Sequence, residues 1–489
     1  MSARALGLVV AAGAALRFAT LDTQSLWYDE AVTAQLLRMD LAGMLRAIPD
    51  SESSPPLYYV LAWLWTQVSG FGEVGLRSLS ALLGTATIGV VWALGRRLGG
   101  DRAGLAAAAL VAFNPMLVWF SQEARAYALL ALLGALSALL WLRALEQPRA
   151  AGRLLAWGAI AALALATHYY AAFLVAPQAL WLVLRVPGRR ERVAALALPL
   201  AAGAALAPLA LGQRANDTAA FIGASPLLTR LAQLPKQFLV GYDAPVESLL
   251  VAASALAVLA GFAGLAALLA RRASARARAR GDSARLAAIT VVAVALAVLA
   301  ALAGEDHLIT RNVLFALPLA CALAGTGLAA IAEAAARPAA LALGAACAAG
   351  IVAVIGVARS PDMQRDDWRA AVRALGPISS PRLIVATPGS ALVALRYYLP
   401  SITTATPPAF TTAEIDYVAL PVRSPGARPQ PPRPVQPVAP AANYTLAGRT
   451  DGETFTVLRW QAPAAAPEPV GPSPGLDGKA GALLSLVPQ

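Results

Sequence analysis

The sequence predicts a mostly α-helical, polytopic membrane protein of about eleven transmembrane helices, followed by a small extracytoplasmic α/β domain. Two observations predict the helical part. Of the 489 residues, 58% are hydrophobic and only 13% are charged, and apolar runs of about 18–23 residues recur along the chain. The third observation is that arginine-rich loops alternate with loops that carry acidic residues or histidine, as expected when the two kinds of loop face opposite sides of a membrane.

About eleven apolar segments are long enough to be transmembrane helices. The first carries Arg17 near its end and has no convincing small-residue cleavage site, so we expect an uncleaved span rather than a signal peptide. Segment 57–68 is apolar but only about 12–14 residues long, which suits an aromatic-rich helix lying at the membrane interface. The predicted spans are 3–20, 76–96, 103–120, 126–145, 153–170, 171–187, 193–212, 247–270, 285–303, 311–332 and 338–358.

The arginine-rich loops set the predicted orientation, because cytoplasmic loops carry an excess of Lys and Arg. This excess also accounts for the net charge of +12, so no nucleic acid partner is expected. The loops 21–75 and 213–246 and the region after 359 are then extracytoplasmic, in a multi-pass protein of the plasma (inner) membrane. The loops assigned to the cytoplasm are 96–102, 143–153, 185–192, 271–285 and 333–337.

The composition changes at residue 359, where the long apolar runs end. We expect a transmembrane domain at 1–358, with interfacial helices in its outer loop 21–75, and an α/β domain at 359–460. The tail 461–489 is rich in Pro, Ala and Gly and is predicted to be disordered. Within the α/β domain, helical patterns begin at 366 and cover 391–399, strand patterns cover 382–386, 415–422 and 455–460, and 424–440 is a Pro-rich loop.

Four polar clusters lie on the predicted outer side, at 24–30, 121–125, 167–170 and 305–311. Asp29 and Glu30 follow the first span directly, and a carboxylate pair so close to lipid is costly, so it marks a candidate site. A carboxylate there could take a proton from a hydroxyl acceptor or bind a divalent metal ion. The alternative is a helix cap or a solvated loop.

These clusters belong to a series of short motifs whose order and spacing carry a family resemblance. The motifs are Arg17, Ser25-Leu26-Trp27-Tyr28-Asp29-Glu30, Pro55-Pro56-Leu57-Tyr58-Tyr59, Leu76-Arg77-Ser78-Leu79-Ser80, Gly95-Arg96-Arg97-Leu98, Ser121-Gln122-Glu123-Ala124-Arg125-Ala126-Tyr127, Thr167-His168-Tyr169 and, more loosely, Arg311-Asn312-Val313 and Asp367-Trp368. The series resembles the membrane glycosyltransferases of the GT-C fold. More narrowly, it resembles the bacterial branch related to protein O-mannosyltransferases and lipid A aminoarabinose transferases (glycosyltransferase family 39-like).

The resemblance implies a GT-C-like fold and the transfer of a sugar, with inversion, from a polyprenyl-phosphate donor to a lipid, glycan or protein acceptor. It implies that Asp29 is the acceptor-activating base and that Glu30 is a helper or a metal ligand. Relatives often carry His, or an acidic–basic pair, before the double proline, where this chain has Ser53-Ser54. The cofactor is therefore left open, with a divalent metal as the candidate.

Further residues on the predicted outer side are candidates for contact with the substrates. Arginine can hold a phosphate through paired donors, and histidine can change its charge near neutral pH or donate to a phosphate or sugar hydroxyl. The alternatives are a loop-stabilising ion pair at 123–125, snorkelling of Arg77 at the interface, and structural histidines. The candidates are Arg77, Glu123, Arg125 and Arg311 for the donor phosphate, and Tyr59, His168, Tyr169 and His307 for the substrate.

The competing hypothesis is a transporter or flippase of a lipid-linked saccharide. Transporters usually place charged residues at the bilayer midplane, on broken helices related by an internal repeat, whereas the charges of this chain gather at one face. The sequence also has no P-loop and no dinucleotide-binding glycine pattern, which favours a lipid-linked donor. Both features favour the enzyme.

The predicted orientation can be tested with single cysteines in a background that lacks Cys321 and Cys347. Cysteines at Ser53 and Ser390 should react with an impermeant thiol reagent in intact cells, because both positions lie in segments predicted to be extracytoplasmic. A cysteine at Ser274, in the richest basic loop, should react only after permeabilisation. Labelling of Ser274 in intact cells, with the other two silent, would reverse the orientation.

Overall fold

The computed structural model of the chain describes residues 2–216, 222–223, 225–270, 277–377, 382–387, 391–400, 403–404, 412–419, 439–440, 442–463 and 482–486. The chain divides into two compact units. The first unit comprises Met1–Leu21 and Met39–Gly356, and the second comprises Asp22–Arg38 and Val357–Gln489. Residues 22–38, which the sequence analysis grouped with the outer loop of the transmembrane domain, thus belong to the second unit.

Sixteen of the helices in the described residues precede residue 360. They are α1 (Ser2–Phe18), α2 (Tyr28–Leu37), α3 (Leu41–Ser51), α4 (Leu57–Ser69), α5 (Glu73–Gly99), α6 (Asp101–Phe113), α7 (Pro115–Ser121), α8 (Tyr127–Glu146), α9 (Ala151–Thr167), α10 (Ala171–Arg185), α11 (Arg189–Ala215), α12 (Leu227–Val240), α13 (Glu247–Ala270), α14 (Ala277–Leu302), α15 (Ala316–Ala332) and α16 (Ala336–Arg359). Helix α2 belongs to the second unit. Each predicted span coincides with one of these helices or with the pair α6 and α7, whereas α12 was not predicted.

The apolar helices make the chain a membrane protein, but a count of eleven spans is not confirmed. Within the described ranges, six helices are long and apolar enough to cross a membrane, or seven if α6 and α7 form one bent span. Helices α9, α10 and α15 are apolar but shorter. At a rise of 1.5 Å per residue, a helix of the length of α9 extends about 25 Å, less than the ~30 Å hydrocarbon core.

The predicted span 103–120 is broken in the structure. Helix α6 ends at Phe113, Asn114 is extended, and α7 begins at Pro115 after a bend of 60°. Proline has no backbone N–H to continue the ladder of α6 and disfavours the helical conformation of the residue before it. The Asn114 side chain instead accepts a hydrogen bond from the Leu117 N–H, at 3.0 Å, and caps α7.

The short apolar segment after the double proline forms α4, as predicted for 57–68. The helix ends at Ser69, and the φ of +78° at the following Gly70 is accessible to glycine at little cost. Its side chains attach it to α5: the Trp65 indole donates to the Ser78 hydroxyl at 2.9 Å, and the hydroxyls of Tyr58 and Ser80 are 3.0 Å apart. These bonds fix the position of the neighbouring Tyr59.

The second unit contains helices α17 (Trp368–Leu375) and α18 (Ala391–Tyr398) and six strands in the described residues. The strands are β1 (Arg382–Thr387), β2 (Thr403–Thr404), β3 (Glu414–Ala419), β4 (Thr445–Asp451), β5 (Thr456–Gln461) and β6 (Ala482–Leu486). They form one sheet in the order β2-β6-β1-β3-β5-β4, in which β1 and β3 are parallel and the other pairs antiparallel. Strand β6 lies in the tail that the sequence predicted to be disordered.

Alternation along the strands gives the sheet two apolar faces. Ile384 and Val418 pack in one core cluster with Trp368 and Leu395, from α17 and α18, and with Ala31 from α2. On the opposite face, the cluster is formed by Leu383, Val385, Ile415, Tyr417, Tyr444, Leu458 and Trp460. Helix α2 is therefore part of the core of this unit. The predicted strands 382–386 and 455–460 and the helix 391–399 are confirmed, and the strand 415–422 is confirmed over 415–419. The helix predicted to begin at 366 begins at Trp368, while 420–422 and most of 424–440 lie outside the described residues.

Candidate functional site

Three of the four polar clusters meet in the first unit. They lie in the turn 122–126 between α7 and α8, in the turn between α9 and α10, and in the 3₁₀ turn Thr310–Val313 before α15. The Arg311 guanidinium lies over the ring of Tyr127, 5.6 Å from its centroid, and that ring is 5.9 Å from the imidazole of His168. Segments that are far apart in sequence thus share one end of this unit.

Arg125 is the most tightly held charge of this group. Its Nη1 is 2.6 Å from Oε1 of Glu52, and both side chains are buried. The guanidinium also lies 5.8 Å from the ring centroid of Tyr59. The alternative from the sequence was an ion pair within the loop 123–125. The ion pair seen in the structure joins Arg125 to Glu52, 73 positions away in sequence. Glu123 is buried beside it, and its backbone carbonyl accepts a 2.8 Å hydrogen bond from the Arg125 N–H.

Tyr59 is fully buried next to this ion pair. Burial raises the pKa of its hydroxyl well above the usual value, and the hydrogen-bonded Glu52 carboxylate acts in the same direction. The hydroxyl therefore keeps its proton at physiological pH. The single proton of this hydroxyl is donated to the Glu52 carboxylate, so towards a substrate the hydroxyl oxygen can accept, for example from a sugar hydroxyl.

His168 lies in the turn between α9 and α10 and is buried. Burial, together with the positive charges of Arg311 and Arg125, lowers its pKa to about 3. The expected change of charge near neutral pH is therefore wrong, and the ring stays neutral. Its Nδ1 accepts a 3.2 Å hydrogen bond from the Tyr170 N–H, which leaves the proton on Nε2, where it can act as a donor.

The other predicted residues of the first unit have mainly structural contacts. Arg77 is buried, and its Nη1 donates to the Leu21 carbonyl at 2.7 Å. The Tyr169 hydroxyl donates to Gln213 at 2.7 Å, and burial raises its pKa to about 12. The His307 backbone carbonyl accepts a 2.7 Å bond from Asn312. These contacts hold the loops that surround Arg125 and His168.

The carboxylate pair Asp29–Glu30 lies in the second unit, in the first turn of α2, where a helix N-terminus favours negative charge. Glu30 is fully buried, and its Oε2 is 3.1 Å from Nη1 of Arg365. The same oxygen accepts a 3.4 Å hydrogen bond from the Trp27 N–H, and the Arg365 guanidinium lies 4.6 Å from the Trp27 ring centroid. Asp29 is only half-buried.

A second set of bonds ties the loop before α2 to the start of α17. The Ser25 hydroxyl donates to Oδ1 of Asp367 at 3.1 Å, and Arg369 donates to the carbonyls of Asp22 and Thr23 at 2.7 and 2.9 Å. These bonds fix the direction of α2 within the unit. From the sequence, Asp367 was placed near a helix start and in a loose motif of the family resemblance, and Arg365 was missed, because nothing local links either residue to 22–30.

A divalent metal ion needs several protein or substrate ligands close together. Among the residues that the structure describes, no three His, Cys, Asp or Glu side chains are grouped so that they could hold a metal ion. The carboxylate of Glu30, the residue considered as a ligand, is bonded to Arg365. A divalent ion such as Mg²⁺ is commonly held by one or two carboxylates together with the phosphate oxygens of a substrate, and no step of the chemistry below is assigned to a metal ion.

Known proteins resemble the chain both in sequence and in fold. Residues 53–211 match the family model described as dolichyl-phosphate-mannose-protein mannosyltransferase. No curated protein sequence matches the chain. Among solved structures, ArnT from Cupriavidus metallidurans bound to undecaprenyl phosphate is similar, with 15% identity and a TM-score of 0.57, over 92% of this chain and 97% of that chain. Its apo state gives 14% identity and a TM-score of 0.56 over the same shares.

At this level of identity, the ArnT structures establish the fold that the chain shares with them. The family model is independent of that comparison and covers the segment from the double proline to α11. Together they confirm the predicted resemblance to GT-C glycosyltransferases related to protein O-mannosyltransferases. The ArnT-like fold also confirms the mostly helical fold class with a small C-terminal sheet.

We expect the His168 ring to remain neutral between pH 7.5 and pH 5. The ordinary histidine pKa is about 6.5, whereas the pKa of His168 in the folded chain is about 3. Between these two values the unfolded chain binds a proton at this histidine and the folded chain does not. Acidification therefore lowers stability through this residue. In a His307→Gln variant, His168 is the only histidine, so its ¹³C NMR signal can be followed alone. A titration midpoint between pH 5 and 7.5 would contradict this description of the site.

Proposed function

We propose that the chain is a membrane glycosyltransferase that moves a sugar from a polyprenyl-phosphate donor to an extracytoplasmic lipid, glycan or protein acceptor, with inversion at the anomeric carbon. The observation that carries the proposal is the grouping of Arg125 and Arg311 around the neutral His168 in the first unit. Two guanidinium groups and a neutral donor suit a phosphate leaving group. The match to a family of mannosyltransferases supports the reaction class.

The first unit supplies the candidate phosphate site. When the bond between sugar and phosphate breaks, negative charge develops on the phosphate oxygens, and cationic donors fixed in advance stabilise it. A guanidinium has five N–H donors, so the bond between Arg125 and Glu52 still permits a phosphate contact. Undecaprenyl phosphate is the lipid in the similar ArnT structure, which supports a lipid-linked donor here.

Of the two carboxylates, Asp29 suits the role of base better than Glu30. Glu30 is fully buried and bonded to Arg365 and to the Trp27 N–H, so it orients the start of α2. Asp29 is half-buried and precedes Glu30 in the first turn of α2. In the proposed reaction, Asp29 takes the proton of the acceptor hydroxyl as that oxygen bonds to the anomeric carbon, and the phosphate leaves with the electron pair of the broken C–O bond.

Asp29→Asn should leave the protein folded and in the membrane but reduce sugar transfer by a factor of roughly 10²–10⁴, because it keeps the shape and removes the proton acceptor. The measurement is transfer of labelled sugar from a synthetic polyprenyl-phosphate donor by the purified protein. Asp22→Asn, in the loop before α2 and with an exposed side chain, is the matched control and should retain wild-type activity.

Glu30→Gln separates the two carboxylates. If Glu30 only orients α2, the variant should be less impaired than Asp29→Asn, and added divalent cation should not rescue it. Wild-type transfer by Asp29→Asn with an inactive Glu30→Gln would exchange the two roles. Full activity of both variants would remove the pair from the chemistry and favour the transporter hypothesis.

Arg125→Lys should weaken binding of the donor about tenfold, since a lysine keeps the charge but cannot make paired hydrogen bonds to phosphate. The binding assay uses undecaprenyl phosphate and the purified protein in nanodiscs. Arg102→Lys, at an exposed position of α6, makes the same chemical change elsewhere and should bind as the wild type does. Unchanged affinity in Arg125→Lys would leave Arg125 with a structural role, as in its ion pair with Glu52.

A further inference from the structure

Arg17 is a fully buried arginine in the last turn of α1, within the first unit. Its guanidinium makes four hydrogen bonds, all to neutral oxygens: Nη1 to the carbonyls of Gly13 and Ala112 at 2.9 and 3.0 Å, Nη2 to the carbonyl of Val111 at 3.0 Å, and Nε to the Ser121 hydroxyl at 3.1 Å. A buried charge is costly, and an apolar residue of similar size is often as stable. The presence of a buried arginine here is therefore better explained by a role other than stability.

Two of its acceptors are the carbonyls that the helix break exposes. In a continuous helix, the Val111 carbonyl would accept from the N–H of residue 115, which is a proline, and the Ala112 carbonyl would accept from residue 116. The 60° bend between α6 and α7 removes both donors. The Arg17 guanidinium replaces them, and the negative end of the α6 dipole favours its positive charge.

The same guanidinium also reaches the far end of α7. Its Nε donates to the Ser121 hydroxyl, which donates in turn to the Leu117 carbonyl at 2.5 Å. The next residue, Gln122, donates from its side chain to the Leu16 carbonyl at 3.0 Å and to the Thr20 hydroxyl at 2.6 Å. The end of α1 and the end of α7 are thus bonded in both directions, immediately before the turn that carries Arg125.

We propose that Arg17 is a positioning residue that holds α6 and α7 at their bend and thereby sets the Arg125 guanidinium for the donor phosphate. The proposal rests on the phosphate site of the proposed function. A lysine at 17 would keep the charge, but its single ammonium cannot bridge two carbonyls of α6 and the Ser121 hydroxyl in one plane. Without that bridge, the turn 122–126 loses the anchor that aligns it with Glu52.

Gly84 of α5 offers a second way to test the same contact. A Cβ at this position would overlap the Ser121 hydroxyl and lie 3.1 Å from Nε of Arg17. Gly84→Ala therefore disturbs the hydrogen bond between Arg17 and Ser121 without changing either residue. Gly89, on the same helix, has no neighbour within 4 Å of such a Cβ, so Gly89→Ala is its matched control.

The test is a double-mutant cycle on the affinity for undecaprenyl phosphate, measured with full-length protein in nanodiscs after a check of folding by thermal melting. If Arg17 acts through Arg125, then Arg17→Lys and Arg125→Lys each raise the Kd about tenfold, and the double variant also raises it about tenfold rather than a hundredfold. A wild-type Kd for Arg17→Lys, or multiplication of the two effects, would overturn the positioning role. An unchanged Kd for Arg125→Lys would instead show that the phosphate site itself is wrong.

If Arg17→Lys does not fold, the glycine pair decides the question. Gly84→Ala should raise the Kd for undecaprenyl phosphate, and the increase should disappear when Arg125 is already lysine. Gly89→Ala should bind as the wild type does in both backgrounds. Equal affinities for Gly84→Ala and Gly89→Ala would show that the contact between Arg17 and Ser121 has no influence on the phosphate site.

Discussion

Buried arginines at the ends of apolar helices need oxygen partners, and this requirement organises one end of the first unit. These arginines are buried, so each one must find carbonyls or carboxylates of other segments, and each such bond fixes two segments relative to each other. The arginines and their partners are Arg17 with Val111 and Ala112, Arg77 with Leu21, Arg125 with Glu52, and Arg230 with Leu308 and Asp306. The loops that carry the candidate residues are positioned by these bonds.

In the second unit, a buried ion pair and apolar packing likewise fix the segment after α1. Residues 22–38 leave the helical bundle and enter the core of the α/β domain, where Ala31 packs with Trp368 and Glu30 pairs with Arg365. Helix α2 consequently has a fixed N-terminal turn, and Asp29 has a defined direction within this unit. The contacts of this unit thus orient Asp29, the residue proposed as the base.

The sequence predicted the parts of the structure whose signals are local. Apolar runs located the helices, because hydropathy depends on neighbouring residues only, and alternation located β1, β3 and β5. It did not predict β4, whose Gly448 and polar side chains give no alternating pattern, nor the break at Pro115, which lies within an otherwise apolar run. The pairs Arg125–Glu52 and Glu30–Arg365 join residues 73 and 335 positions apart, and no spacing rule connects them.

The neutrality of His168 also depends on the folded structure, because burial of the ring, and then the charges of Arg311 and Arg125, lower its pKa only after folding. In the proposed function, Arg125 and Arg311 bind the phosphate of a lipid-linked donor. A cryo-EM structure of the full chain in nanodiscs with undecaprenyl phosphate tests it directly. We expect phosphate density within about 3 Å of both guanidinium groups. A phosphate bound elsewhere, with Arg125 and Arg311 keeping only their present partners, would contradict it.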